Sequence, residues 1–205
     1  MLLAIDTSAG SSVAITDPVR GVLAERSSAD TMRHAEVIGR LIHDCLQEAG
    51  VAVSELDGVV AGMGPGPFTG LRIGIAAARA FAIGAGLPVL PVVSHDAIAL
   101  SEYRDGRSEP LLVVTDARRR ERYWTAYSGL DASGLPVRID GPGLGKPDEL
   151  PHPELLRIDA ETVSAASLGV VAELLRAGGH PFASDEPLYL RSPDVTLSPK
   201  KRVTG

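Results

Sequence analysis

Leu2-Leu3-Ala4-Ile5-Asp6, then Thr7-Ser8-Ala9-Gly10-Ser11, then Ser12-Val13-Ala14-Ile15-Thr16, runs from an apolar segment closed by an acid, through a small hydroxyl-rich turn, into a second apolar segment. Val113-Val114-Thr115-Asp116, a turn, and Tyr123-Trp124-Thr125-Ala126-Tyr127 repeat that order in the second half of the chain. Short runs of β-branched and apolar residues divided by turn residues read as strands. Two copies of strand, terminal Asp, turn and returning strand predict a duplicated fold.

Working outward, a third strand is expected at 22–26, after Asp17-Pro18 and Gly21. Val37, Ile38, Leu41, Ile42, Cys45, Leu46 and Ala49 recur at three- and four-residue steps and predict a helix from His34 to Ala49, stopped by Gly50. A strand at 58–63, a loop at 64–68, a helix at 69–85 and a strand at 89–93 follow, and Ser94 is placed to cap a helix reaching Tyr103. The polar break Asp105-Gly106-Arg107-Ser108 divides the chain into an N-terminal lobe, 1–104, and a smaller lobe, 105–190, with a tail at 191–205. The Gly- and Pro-rich stretch 129–153 reads as loop, 161–177 as a last amphipathic helix, and the chain beyond Pro187 as an extended tail. The class is α/β: a duplicated mixed β-sheet with flanking helices and a reduced second lobe.

Composition narrows the function. Across 205 residues, 44% are apolar and 22% charged, ordinary for a globular protein, and no stretch approaches the ~20 apolar residues of a membrane span. The start Met1-Leu2-Leu3-Ala4-Ile5-Asp6 lacks the basic region of a signal peptide, and Cys45, the only cysteine, fits a reducing cytoplasm. A net charge of −6 disfavours unaided RNA binding. The basic clusters Arg118-Arg119-Arg120 with Arg122, and Lys200-Lys201-Arg202, read as a solvated turn and a frayed tail.

Asp6 and Asp116, at two strand ends beside a cleft, have two readings: carboxylates positioning a metal-bound phosphate or a water, or acids bonding the amides of their own turns. Asp6, Thr7 and Asp116 are therefore the candidates for a weak ATP or ADP site. The turn after Asp6 could cradle a phosphate with its amides. The turn after Asp116 puts Arg118, Arg119 and Arg120 where glycines would be needed, so half of the cradle is missing. Gly62-Met63-Gly64-Pro65-Gly66-Pro67-Phe68-Thr69-Gly70 fits neither the P-loop nor the Rossmann spacing, and its prolines lack donors; it reads as a rigid turn. In the helix that follows, Gly70, Gly74, Ala78 and Ala82 form a small-residue ridge suited to the core or to a subunit contact. Because Leu71, Ile75 and Ile83 can fill the core from another side, the contact is the preferred reading. Phe68 and Arg72 are the anchors. His34 lacks a second ligand one turn on, where Ile38 stands, so a surface or capping role is expected rather than a metal. Cys45 lies on an apolar stripe, where a thiol is inert. No Gly-x-Ser-x-Gly elbow is present.

Leu3-Ala4-Ile5-Asp6-Thr7-Ser8, the run from Gly64 to Gly74, Asp116-Ala117-Arg118 with Tyr123-Trp124, and Glu186-Pro187-Leu188-Tyr189-Leu190-Arg191 together resemble the TsaB (YeaZ-type) family. The likeness covers 1–128 and the stretch around 186–194. It implies an actin-like (ASKHA) two-lobed fold and a noncatalytic subunit of the complex that makes threonylcarbamoyladenosine beside the tRNA anticodon. No cofactor is required, and tRNA is met only through the complex. The implied partners are a TsaD-type catalytic paralogue, a TsaE-type ATPase and, when alone, a second copy through the first two helices. Carried onto this chain, that interface falls on His34, Val37, Ile38, Leu41, Phe68, Thr69, Gly70, Arg72, Gly74 and Ala78. The catalytic paralogue has two metal-ligand histidines four apart on its first helix; here only His34 stands. Two alternatives remain: an actin-like kinase or carbamoyltransferase using Asp6, Asp116, ATP and magnesium, and a homodimeric module unrelated to tRNA.

Overall fold

The computed structural model describes residues 1–30 and 33–191. The opening segment folds as a meander, β1 (Leu2–Asp6), β2 (Ser11–Asp17) and β3 (Gly21–Ser28), followed by α1 (His34–Ala49), β4 (Gly58–Gly62), α2 (Phe68–Ala85), β5 (Val89–Val92) and α3 (Ser94–Arg104). The second half holds β6 (Leu111–Asp116), β7 (Arg122–Leu130), β8 (Pro136–Gly145), β9 (Leu156–Asp159) and α4 (Ala165–Gly178). β1–β5 form one sheet in the order β3-β2-β1-β4-β5, and β6–β9 a second in the order β8-β7-β6-β9. Each begins as an antiparallel meander and adds parallel strands, β4 beside β1 and β9 beside β6. The second lobe is reduced at a definite place: where α1 joins β3 to β4, only a single 3₁₀ turn at Pro147–Glu149 lies between β8 and β9.

Strand alternation distributes the core. Leu3, Ile5, Val13 and Ile15 face α1 and α2, packing with Ile38, Cys45, Leu71 and Ile75. Leu2, Ala4 and Ala14 face the other way, onto Leu100 of α3 and Leu168 of α4, and the same cluster continues to Leu111, Val113 and Tyr127 of the second sheet. α4 thus covers the first sheet, α3 covers the second, and the two helices pack on each other, so that one apolar cluster runs from sheet to sheet through them. The far face of the second sheet carries only a small cluster, Leu112, Val114 and Ala126 with Trp124, Leu150 and Leu155.

Several expectations are corrected. The stretch 129–153 is not loop. β8 forms there on β7, and Gly143 lets the Trp124 ring lie on the strand, since a Cβ at 143 would stand 2.3 Å from Trp124 Cζ2. β9 was not expected at all. Ser94 does not cap α3; Val93 holds the cap position, and the Ser94 hydroxyl turns to Asp6. Ile83 fills no core, being 82% exposed. By length and composition α2 would suffice to cross a membrane, against the expectation that no stretch would. It is instead a layer of this domain, with Leu71, Ile75, Ala78 and Ala82 buried and an apolar outer side left over. After α4 the chain is docked: the Ala183 amide donates to Pro91 O, the Leu188 amide to Met63 O, and Arg79 binds Asp185. Lys200, Lys201, Arg202 and the tail beyond Arg191 lie outside the described residues.

Candidate functional site: the inter-lobe cleft and the face of α1 and α2

Asp6 ends β1 fully enclosed, 1% exposed. Its Oδ1 accepts from the Ser8 amide at 2.7 Å and the Ser8 hydroxyl at 2.6 Å, and its Oδ2 accepts from the Ser94 hydroxyl. Ser94 Oγ in turn accepts from the Gly64 amide at 3.0 Å. Burial pushes the carboxyl above its ordinary range, and these donors oppose that rise. Asp6 therefore joins the end of β1, the start of α3 and the glycine loop, and its acceptor sites are engaged within the lobe. Thr7 is buried as well, its hydroxyl donating to Gly70 O at 2.7 Å.

Asp116 lies in different surroundings. It is exposed at the end of β6 and paired with Arg122, with Arg118 3.8 Å away. It lines a cleft of about 330 Å³ between the lobes, with Ser8, Arg118, Arg122, Asp159 and Glu161. Of the candidate nucleotide residues, only Asp116 faces this space; Asp6 and Thr7 stand behind Ser8. Asp159 and Glu161 were not picked out from sequence, while Ser8 lies in the turn read as a possible phosphate cradle and Arg122 in the basic cluster read as a solvated turn. For Asp159 the available signal was the repeat itself, since β9 takes the place of β4 and ends at the same cleft. The turn between β6 and β7 holds Arg118, Arg119 and Arg120 at φ 63, 49 and 64°, a left-handed conformation that bulky residues adopt at a cost. Arg191 ties it down, donating to Ala117 O at 3.2 Å.

The small-residue ridge of α2 is turned inward. A Cβ at Gly74 would stand 2.1 Å from Thr7 Oγ1, one at Gly70 2.6 Å from Thr7 O, and one at Gly66 2.8 Å from Ser8 Cα. The glycine spacing that suggested a flat docking face is what lets α2 and its loop nest against the end of β1. Gly70, Gly74 and Ala78 are thus core contacts of this lobe, as are His34 and Ile38, while Val37, Leu41 and Phe68 are half-buried and Thr69 and Arg72 exposed. The outward side of α2 carries Arg72, Ala76, Ala80 and Ile83 instead. Phe68 and Arg72 do meet: the guanidinium carbon lies 5.1 Å from the ring centroid, and Tyr189 of the docked C-terminal segment covers the ring at 4.7 Å. His34 is no surface residue; it is 6% exposed, with Nδ1 hydrogen-bonded to Ser11 Oγ at 2.7 Å. Among the described residues no group of three or more His, Cys, Asp or Glu is arranged to hold a metal ion. Cys45 donates to Val13 O, and burial raises its thiol to about 11.

Comparison with known proteins follows the same lines. Residues 6–159 match the family described as TsaD, tRNA N6-adenosine threonylcarbamoyltransferase. An uncharacterized protein of Mycobacterium tuberculosis is 39% identical over 180 residues, 85% of this chain and 82% of its own. One of Mycobacterium leprae is 38% identical over 95% of this chain, which spans only 56% of that protein's length. The tRNA threonylcarbamoyladenosine biosynthesis protein TsaB of Escherichia coli is 30% identical, covering 81% of this chain and 71% of the relative. The solved structure of YeaZ from Pseudomonas aeruginosa superposes with a TM-score of 0.77 at 29% identity, over 92% of this chain and 99% of that one. The two sheets and the helices between them are accordingly an actin-like fold, and this chain belongs to the TsaB (YeaZ-type) family.

Proposed function

We propose that this protein is a noncatalytic, activating subunit in the cytoplasmic formation of N6-threonylcarbamoyladenosine in tRNA. It docks on a TsaD-type catalytic paralogue, recruits a TsaE-type ATPase, and pairs with a second copy when alone. The observation that carries the reading is the outer face of α1 and α2. α2 is apolar enough to pass for a membrane span, yet only 33% of it is buried within the chain. Ile83 stands almost fully in solvent, with Ala76 and Ala80 exposed on the same helix and Leu41 and Ile42 half-buried on α1. An apolar surface of this kind on a folded domain marks a protein contact, and the names of the TsaB relatives supply the process. A partner that favours one conformation of the catalytic paralogue would activate it by population shift. Against the rival reading of an ATP-dependent kinase or carbamoyltransferase stands Asp6, whose carboxylate is engaged by Ser8 and Ser94 rather than presented to the cleft. Any weak ATP or ADP site would have to rest on Asp116 and Ser8, and no cofactor is needed for the proposed role.

The test is reconstitution. The purified chain, mixed with the TsaD-type protein of the same organism, is expected to elute as a complex and to restore tRNA modification that neither supports alone. Ile83→Glu should leave thermal unfolding within about 0.5 kcal/mol of wild type, as for other surface changes. The same change should weaken association by at least ~10-fold, since burying an isoleucine contributes about 1.5–3 kcal/mol. Modification by the chain alone, or unchanged association of Ile83→Glu, would sink the proposal.

A further inference from the structure

After α4 the chain runs as a strap, residues 183–191, from the first sheet to the second. At its start the Ala183 amide donates to Pro91 O on β5, an edge strand of the first sheet, at 3.0 Å, and further on the Leu188 amide donates to Met63 O at 2.9 Å. Two contacts fasten it to α2. Arg79 donates to Asp185 O at 2.6 Å and to Asp185 Oδ1 at 2.9 Å, and Tyr189 lies on the Phe68 ring that also meets Arg72. The far end grips the second sheet: Arg191 donates to Ala117 O at 3.2 Å and stands 3.5 Å from Glu121 Oε2.

The two ends meet different surroundings. Arg72, Ala76, Arg79 and Ile83 recur at four-, three- and four-residue steps, so the α2 residues that fasten the strap share the side of the helix that carries exposed Ile83. Ala117 and Glu121 bracket the three consecutive left-handed residues Arg118, Arg119 and Arg120. The turn is closed by two backbone bonds, the Ala117 amide to Glu121 O at 3.1 Å and the Glu121 amide to Arg118 O at 2.9 Å. A left-handed run of this length is unfavourable for residues with side chains and lasts only where the surroundings enforce it. Arg118 and Arg122 line the cleft, so the conformation of the turn shapes the cleft wall.

We propose that the strap couples the outer side of α2 to the β6–β7 turn: while it is fastened the turn keeps its left-handed form, and when it lifts the turn relaxes and redraws the wall of the cleft. The occupant of that side of α2 rests on the docking reading proposed above, whereas the coupling belongs to the chain alone. A partner seated over Ile83 also meets Arg79 and Asp185, whose side chains are 42% and 69% exposed. Docking shuts out the water that weakens this ion pair and so favours the fastened form. By linkage, a molecule in the cleft that prefers one form of the turn alters affinity for the partner.

Amide hydrogen exchange of the full chain, read at Ala117 and Glu121 at a dilution where it elutes as a monomer, tests the coupling without a partner. Arg191→Ala should speed exchange at both amides by about tenfold, the loss of a hydrogen bond from a charged group. Arg79→Ala acts at the other end of the strap; it should speed them by about threefold, the share of an exposed ion pair, and add nothing in the Arg191→Ala chain. Arg119→Gly, at a φ that glycine takes freely, should slow the Arg191→Ala chain back toward wild type. With the TsaD-type protein added, exchange at both amides should slow in the wild type but not in Arg191→Ala. Unchanged exchange in Arg79→Ala, additive effects of the two alanine changes, or no rescue by Arg119→Gly would overturn the coupling. So would slowing that persists in the Arg191→Ala complex, because the partner then covers the turn itself. A mixture that forms no complex counts against the docking reading alone, and exchange in the free chain still decides the coupling.

Discussion

Replacing Gly74 by alanine distinguishes an inward ridge from an outward one. The new Cβ would stand 2.1 Å from Thr7 Oγ1 and 3.1 Å from Thr7 Cβ and Cγ2, where carbon contacts settle near 3.5–4.0 Å. Either Thr7 rotates, giving up its 2.7 Å bond to Gly70 O, or α2 lifts off β1. Overpacking of this kind costs about 1–3 kcal/mol, and the lost buried hydrogen bond costs about 1 more. Alanine returns about 1 kcal/mol of helix propensity. The expected net is a destabilisation of about 1–3 kcal/mol, read from urea unfolding with an unchanged slope. Thr7→Ala in the same chain opens the space, so the double variant should recover part of the loss, and the cycle should show a coupling of about 1–2 kcal/mol. The reasoning fails if Gly74→Ala is as stable as wild type while self-association weakens, because that is the behaviour of a ridge facing another chain.

Three further outcomes are expected. His95 of α3 is enclosed between Thr125 and Thr115, and burial holds its pKa down at about 3. The unfolded chain takes up a proton below about 6.5 that the folded one refuses, so this term is fully present above that pH and fades as pH falls, by about 2 kcal/mol between pH 7 and 5. Asp6, raised by burial, acts with the opposite sign, so the slope is isolated by comparing wild type with His95→Gln, whose unfolding should be flatter with pH. Glu25 of β3 accepts from the Ser164 hydroxyl at 2.9 Å and the Ala166 amide at 3.1 Å, completing the start of α4; Glu25→Ala should cost about 1 kcal/mol in thermal unfolding. Arg79→Ala frees Asp185 and should speed hydrogen exchange at the Leu188 amide while leaving global stability within about 0.5–1 kcal/mol, as for an exposed ion pair.

Most elements were legible because their signals are local. The apolar stripe of α1 and its Gly50 stop fix that helix at its observed bounds, and the strand-Asp-turn repeat locates β1, β2, β6 and β7. What was missed depends on distant partners. β8 carries glycines and prolines that disfavour a strand, and only its pairing with β7 and the Trp124 ring over Gly143 make it one. β9 is four residues held by parallel pairing with β6, a relation no local pattern contains. The α2 ridge was legible as a spacing but not as a direction. Small residues every fourth position permit close approach by any neighbour, and that neighbour proved to be Thr7 and Ser8. The same placement took Asp6 out of the cleft, since an acid at a strand end reads alike whether it meets solvent or a serine from a helix 88 residues away.

One consequence concerns the gap between the halves. Since α4 lies on the first sheet, α3 on the second, and the two helices rest on each other, the halves are joined across one oily seam, with Leu168 and Leu100 in the same cluster as Leu2 and Tyr127. Jaw-like opening that parted this seam would bare apolar side chains to water, so any change in the width of the gap is accommodated by one helix sliding on the other rather than by their separation.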